Sequence, residues 1–330
     1  MAHGYYANDK SKKNNLKLYR PVCILLSIGT GKLVTGNNGE VGSMTIQYSY
    51  AQVEGLNIFY REAGSREKPT LLLLHGFPSS SHMYRNLIRE LEGDYHIVAP
   101  DYPGFGNSDQ PSTSEFTYTF DNLAVLINAF VEQLNLNQYI LYVHDYGAPV
   151  GFRLARMHPE RVQAIISQNG NAYEEGIGES WAPMRAFWND PGNPASLEGM
   201  LNLLTPELTK FQYVNGTRNP EAISPDNWNM DQIALDRPGN QDIQLALSYD
   251  YQNNLKQYPV WQEYFRSSQP PLLAAWGKND FFFGPEGALA FQKDLKDVEV
   301  HLLDTGHFPL EEDLELSVSL IRSFLKKELK

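Results

Sequence analysis

The sequence predicts an α/β protein: a doubly wound, mostly parallel sheet with a helical segment inserted late in the chain. Three observations carry this. LLLLHG and HIVAPD are apolar throughout, the mark of strands covered by helices on both faces. Segments of helical period alternate with them. Residues 171–265 then break that alternation with a dense aromatic stretch that holds four of the five tryptophans.

In chain order, TIQYSYAQV and LNIFYREAG flank Glu54-Gly55 and read as a hairpin. LLLLHG is the first central strand, residues 81–91 a helix, and HIVAPD the next strand. Residues 120–134 place Leu123, Leu126, Ile127, Phe130 and Leu134 at helical spacing, an amphipathic helix packed on the sheet. YILYVH (139–144), RVQAIISQNG, PLLAAWG and VEVHLLD supply further strands, and residues 314–325 a closing helix. Residues 1–43 differ: they are rich in Asn, Lys and Gly, with one short apolar run, VCILLSI. That run begins late, and no small-residue cleavage site follows it, so the segment reads as a disordered extension rather than a targeting signal. The expected plan is an extension over 1–43, a core formed by 44–170 and 266–330, and a helical insertion over 171–265.

Composition narrows the class. A chain of 330 residues, 42% of them hydrophobic, can bury a large core. The formal charge of −12 argues against nucleic acid and anionic lipid, which are bound by clustered Lys and Arg. No apolar run approaches the ~18 residues of a membrane span. The single cysteine, Cys23, excludes an internal disulfide framework and a multi-thiolate metal site, and it fits a reducing, cytoplasmic location. No His and carboxylate cluster has metal-ligand spacing, GFGNSD lacks the order of a nucleotide loop, and no cofactor is expected.

YILYVHDYG is the most informative stretch: a strand, a tight turn closed by Gly147, then a helix, with Asp145 at the turn. This is the frame of a nucleophile elbow carrying a carboxylate. A serine there must lose a proton before it attacks. An aspartate, with an ordinary pKa of about 3.9, is already an anion and can displace a leaving group from saturated carbon. The resulting alkyl ester needs an activated water to release it, so a histidine is required. His307 in LLDTGHFPL follows a strand and stands beside Gly306, which gives the backbone freedom to turn the imidazole inward. Of the eight histidines it is the best placed; His75 and His144 read as loop braces. Asp280 in WGKND ends a strand and completes the order nucleophile, acid, histidine. After the preceding strand only Gln168, Asn169 and Asn171 stand at the other position for an acid, and Glu174 lies too far along.

HGFPSSSHMYRNLI, DYPGFGNSDQP, VHDYGAPVG, WGKND and TGHF, in this order from about residue 45 to the end, resemble the α/β-hydrolase superfamily. More narrowly, they resemble its aspartate-nucleophile branch of epoxide hydrolases, haloalkane dehalogenases and fluoroacetate dehalogenases. The resemblance implies that 171–265 forms a helical cap over the site, giving an apolar chamber for a small neutral organic substrate and water. It also implies an oxyanion hole from the backbone N–H groups of Phe77 and Tyr146 and a cis Phe77-Pro78 peptide. A haloalkane dehalogenase would carry Trp after the nucleophile and Asn after the HG; Tyr146 and Phe77 stand there, which leaves Trp181 or Trp188 as indole donors. A fluoroacetate dehalogenase resembles HDRG with a further Arg, where this chain has Tyr146 and Pro149. An epoxide hydrolase uses two cap tyrosines: SYDYQNN offers Tyr251, while the first position reads Phe187 and Trp188. Epoxide hydrolysis to a diol is the leading expectation, haloalkane dehalogenation the alternative. A binding protein or a cofactor-free oxygenase on the same fold comes behind both, because a binding pocket has no need of a base beside a carboxylate. The oligomeric state is left open.

Overall fold

The computed structural model describes residues 45–329; the expected extension over 1–43 lies outside them. Strands β1 (Gln47–Val53) and β2 (Leu56–Ala63) form the expected hairpin, with Val53 opposite Leu56. Its turn residues, Glu54 (φ 48°) and Gly55 (φ 83°), are both left-handed, the geometry that matches strand twist in a two-residue hairpin. With β3 (Thr70–Leu74), β4 (His96–Pro100), β5 (Tyr139–His144), β6 (Val162–Gln168), β7 (Leu272–Gly277) and β8 (Val298–Leu303), they make an eight-stranded sheet of order β1-β2-β4-β3-β5-β6-β7-β8. The pairs β1/β2 and β2/β4 are antiparallel and the rest parallel.

Every residue of β3, β4, β5 and β7 is buried, which is why these strands read as uniform apolar runs. Alternation sorts their side chains between two faces. Leu72, Leu74, Leu141 and Val143 join the core under α2 (Phe120–Gln133) and α3 (Gly147–Met157). Leu71, Leu73, Ile140 and Tyr142 pack on the other side with Leu87 and Ile88 of α1 (Arg85–Leu91). The start of the helix expected over 81–91 is instead a 3-10 turn, Ser81–Tyr84.

Between β6 and β7 the chain forms α4 (Ala182–Asn189), α5 (Pro194–Asn202), α6 (Pro206–Val214), α7 (Pro225–Leu235) and α8 (Asn240–Ser268). Prolines begin three of these helices. Asn193, Thr205 and Ser224 cap α5, α6 and α7 through their side chains, each followed by Pro at the first helical position. α8 continues past the expected boundary at 265 to Ser268, with Pro259 inside it. Burial of Tyr251, Asn254, Tyr258, Trp261 and Phe265 holds it on the core despite the missing donor. After β7 come α9 (Pro285–Ala290), α10 (Pro309–Glu312) and α11 (Leu314–Glu328), with Ile321 and Phe324 of α11 on the α1 face of the sheet. No helix among the described residues is long and apolar enough to cross a membrane.

Specific polar contacts dock the insert on the core. Asp250 Oδ2 accepts the Phe120 backbone N–H at 2.8 Å, Arg153 reaches Asn254 Oδ1 at 2.8 Å, and Asn240 donates to the Gly104 carbonyl at 2.6 Å. Asp250→Ala should therefore lower stability by about 1–3 kcal/mol, the cost of leaving a buried N–H unpaired. Asp250→Asn, which keeps an acceptor oxygen, should lose less than half of that in denaturant unfolding.

Candidate active site

The site grows from the end of β5. The chain turns sharply into α3, and Asp145 takes the left-handed conformation (φ 49°) that lifts its side chain above the sheet. Only glycine fits at 147: a Cβ there would come 2.0 Å from the Leu74 carbonyl oxygen. Asp145 Oδ1 accepts the backbone N–H of Phe77 at 2.7 Å and of Tyr146 at 2.6 Å. The Phe77-Pro78 peptide is cis. These two donors occupy Oδ1 and leave Oδ2 facing His307, whose Nε2 is 3.9 Å away.

His307 is buried, and its Nδ1 donates to Asp280 Oδ2 at 2.8 Å. Glu174, the other acid weighed, is exposed. With the proton on Nδ1, the lone pair of the neutral imidazole is on Nε2, which has no hydrogen-bond partner among the described residues. Gly306 serves a different purpose from the one expected. Its backbone is not left-handed; a Cβ there would strike the Asn215 carbonyl oxygen at 2.0 Å, so close approach is what demands glycine. Asp280 is itself held on both oxygens. Oδ1 accepts the Phe282 N–H at 2.8 Å, and Oδ2 also accepts Asn169 Nδ2 at 2.8 Å. Asn169, buried at φ 51°, in turn accepts the Gly277 N–H. Sequence reading considered this position only for an acid and missed an amide that orients one.

Burial pushes the Asp145 carboxyl up to about 6, against the lowering pull of His307 and of the Phe77 and Tyr146 N–H groups. For His307, burial disfavours the charged ring, but the charge and hydrogen bond of Asp280 outweigh it and raise its pKa. Next to it His144, fully buried 4.7 Å away ring to ring, is held well below the usual histidine range by desolvation and then by His307, and so stays neutral.

Asp145 opens into a cavity of about 230 Å3. Its floor comes from the core (Phe77, Asp145, Tyr146, Phe281, Phe282, Phe283) and its roof from the insert, chiefly Trp181, Met184, Leu203, Leu208, Gln212 and Ser248. Of the expected insert contacts, Trp181 alone lines it, and its indole N–H is spent on the Phe282 carbonyl at 2.6 Å. Trp188 lies behind, donating to the Ser248 carbonyl at 2.8 Å. Phe187 is buried against Tyr249. Tyr251 does not reach the cavity: the register of α8 turns it under Tyr146, Trp181 and Phe120, and its hydroxyl bonds to that of Tyr258. The phenol that does line the cavity is Tyr146, bonded to Ser248. Sequence reasoning gave a role only to its backbone and passed over its phenol. Its side-chain position follows from the elbow, since the residue after Asp145 sits at the mouth of the same turn.

A buried carboxylate with a raised pKa stores instability. The penalty appears as pH rises from the unfolded value of about 3.8 and is complete above about 6. Asp145→Asn keeps an oxygen for both N–H donors and tolerates positive φ. It should therefore abolish immediate turnover while raising the melting temperature at pH 7, by a stabilisation on the order of 2–3 kcal/mol. Thermal scans should show that gain shrinking between pH 6 and pH 4.

A family model of the alpha/beta hydrolase fold matches residues 69–314. An uncharacterized hydrolase of Saccharomyces cerevisiae is 44% identical over 261 residues, 78% of this chain and 89% of that protein. Epoxide hydrolase 4 of Mus musculus is 27% identical, over 83% of this chain and 77% of its own. Among solved structures, a haloalkane dehalogenase from Agrobacterium tumefaciens superposes with a TM-score of 0.72 at 23% identity, over 85% of this chain and 97% of that one, which speaks for the fold alone. The family match over residues 69–314, together with the yeast relative, makes this protein an enzyme of the α/β-hydrolase fold family.

Proposed function

We propose that this hydrolase opens small apolar epoxides to diols through an ester on Asp145. One observation carries the reading: Asp145 is anchored through Oδ1 by two backbone N–H groups, while Oδ2 is free and faces an apolar cavity beside an unpartnered His307 Nε2. Oδ2 attacks a ring carbon, the C–O bond breaks, and the ring oxygen leaves as an alkoxide that takes the proton of Tyr146 Oη. His307 then removes a proton from water, and the hydroxide adds to the ester carbon. The charge that gathers on Oδ1 is met by the N–H groups of Phe77 and Tyr146, already within 2.7 Å of it. Collapse returns the His307 proton to the departing oxygen and the carboxyl proton to the Tyr146 phenolate, so one epoxide and one water give one diol.

Haloalkane dehalogenation is the second reading. A departing halide needs N–H donors and no proton, yet the indoles of both Trp181 and Trp188 are committed to backbone carbonyls. A phenol at the nucleophile, able to give up a proton as well as hydrogen-bond, suits an opening epoxide better. The similarity to a mouse epoxide hydrolase over most of both chains supports the same order.

His307→Gln separates the two chemical steps. With styrene oxide, this variant should accumulate an adduct of the full epoxide mass that maps to Asp145. With a bromoalkane, a gain of the alkyl group with bromide release would favour dehalogenation. An unmodified His307→Gln protein, when the parent turns over the same substrate, would exclude the ester route. The alkylation rate of the parent, followed before steady state, should lose half its value near pH 6, where Asp145 protonates. An acid limb near pH 4 would contradict that assignment.

A further inference from the structure

We infer that Gln212 is a second hydrogen-bond donor to the departing ring oxygen, acting from the α6 wall of the cavity beside Tyr146; this rests on the epoxide reading above. Gln212 lines the cavity from α6, one helical turn after Leu208. It is 3% exposed, and its Nε2 is sealed from bulk water without a hydrogen-bond partner among the described residues. A buried amide left unpaired is costly, and an apolar side chain would fill the same wall of leucines without that cost. Other buried amides find partners, among them Asn169 on Asp280, Asn171 on the Tyr173 carbonyl and Gln232 on the Leu204 carbonyl; Asn227 and Asn254 also keep an Nδ2 without one, but neither lines the cavity. Gln212 stands apart as an unpartnered amide donor on a residue that lines the cavity.

Its place in the fold ties it to the reacting end. Tyr213, the next residue, stacks on Phe308 with centroids 4.0 Å apart and planes within 5°. The Asn215 carbonyl just beyond α6 abuts Gly306. The α6 backbone is therefore fixed against the segment that carries His307, and the carboxamide hangs into the cavity from that fixed point. A carboxamide has two N–H donors and turns about its terminal bond, so it can follow an oxygen that moves as the ring opens. Ser248 is already engaged with Tyr146. Gln212 thus offers what Tyr146 lacks, a partner with unspent donors. In the opening step the Oδ2–carbon bond forms, the ring C–O bond breaks, and its electron pair stays on oxygen. Gln212 Nε2–H stabilises that charge by hydrogen bonding and keeps its proton; the proton transferred is that of Tyr146.

The test compares His307→Gln with His307→Gln/Gln212→Met, using styrene oxide and quench-flow mass spectrometry of the Asp145 adduct. The added substitution should slow alkylation by about 100-fold, the scale of losing one donor at a developing oxyanion. Gln212→Met alone should leave the hydrolysis rate of the preformed ester unchanged, and it should raise the melting temperature by about 2 °C because an unpaired amide is removed. Unchanged alkylation, or slowing confined to ester hydrolysis, would overturn the role given to Gln212, as would a melting temperature lowered by as much. Failure of His307→Gln itself to form any epoxide adduct would overturn the epoxide reading, and this inference with it.

Discussion

Keeping a carboxylate ionised where burial opposes it is the constraint on which the rest of the site depends. Asp145 is 7% exposed, and burial alone would hold it protonated and inert as a nucleophile. Its charge survives because two backbone N–H groups converge on Oδ1, because it stands at the N-terminal end of α3, and because His307 lies 3.9 Å from Oδ2. Each support requires something further out. The N–H of Phe77 is delivered by the turn after β3. That of Tyr146 needs the elbow, and the elbow needs Gly147. His307 needs Asp280, and Asp280 needs Asn169 and the Phe282 N–H. In the proposed ester route, the same donors that preserve the ground-state charge would meet the charge that returns to Oδ1 during ester hydrolysis, so one geometry would serve both steps.

The insert sets the other half of the balance, because it keeps water scarce. Leucines, phenylalanines and Trp181 close the cavity, and the polar links from Asp250, Asn254 and Asn240 fix that roof on α2, α3 and the loop after β4. Low polarity makes a carboxylate a stronger nucleophile and a hydrogen bond to a developing anion worth more than in water. It also makes every unspent polar atom expensive. The polar residues that line the cavity are accordingly few: Asp145, Tyr146, Ser180, Gln212 and Ser248.

The core was legible in the sequence because its strands are buried on both faces. The expected strand at Tyr139–His144 matches β5 residue for residue and VEVHLLD overruns β8 by one, and Asp145, Asp280 and His307, chosen by chain order, come together in space. Local chemistry misled where tertiary contacts decide. Prolines at 194, 206 and 225 are helix starts, signalled in the sequence only by the preceding Asn193, Thr205 and Ser224. Pro259 lies within a helix that packing sustains. Tyr251 fitted a motif, but helical rotation within α8 turns it away from the cavity, and the elbow places Tyr146 on the cavity wall instead. Asn169 and Gln212 carry no local signature at all. Their meaning lies in what surrounds their amides: Asp280 for one, and the open cavity for the other.

The central claim is that Asp145, and not water, makes the first bond to carbon. Oxygen labelling in a single turnover reads this directly. With enzyme in excess over epoxide in water enriched in 18O, the diol should carry an unlabelled oxygen taken from Asp145, and the label should appear in the Asp145 carboxylate on peptide mapping. A diol labelled in its first turnover, with Asp145 unlabelled, would mean that His307 directs water onto the epoxide itself and that no ester forms on Asp145.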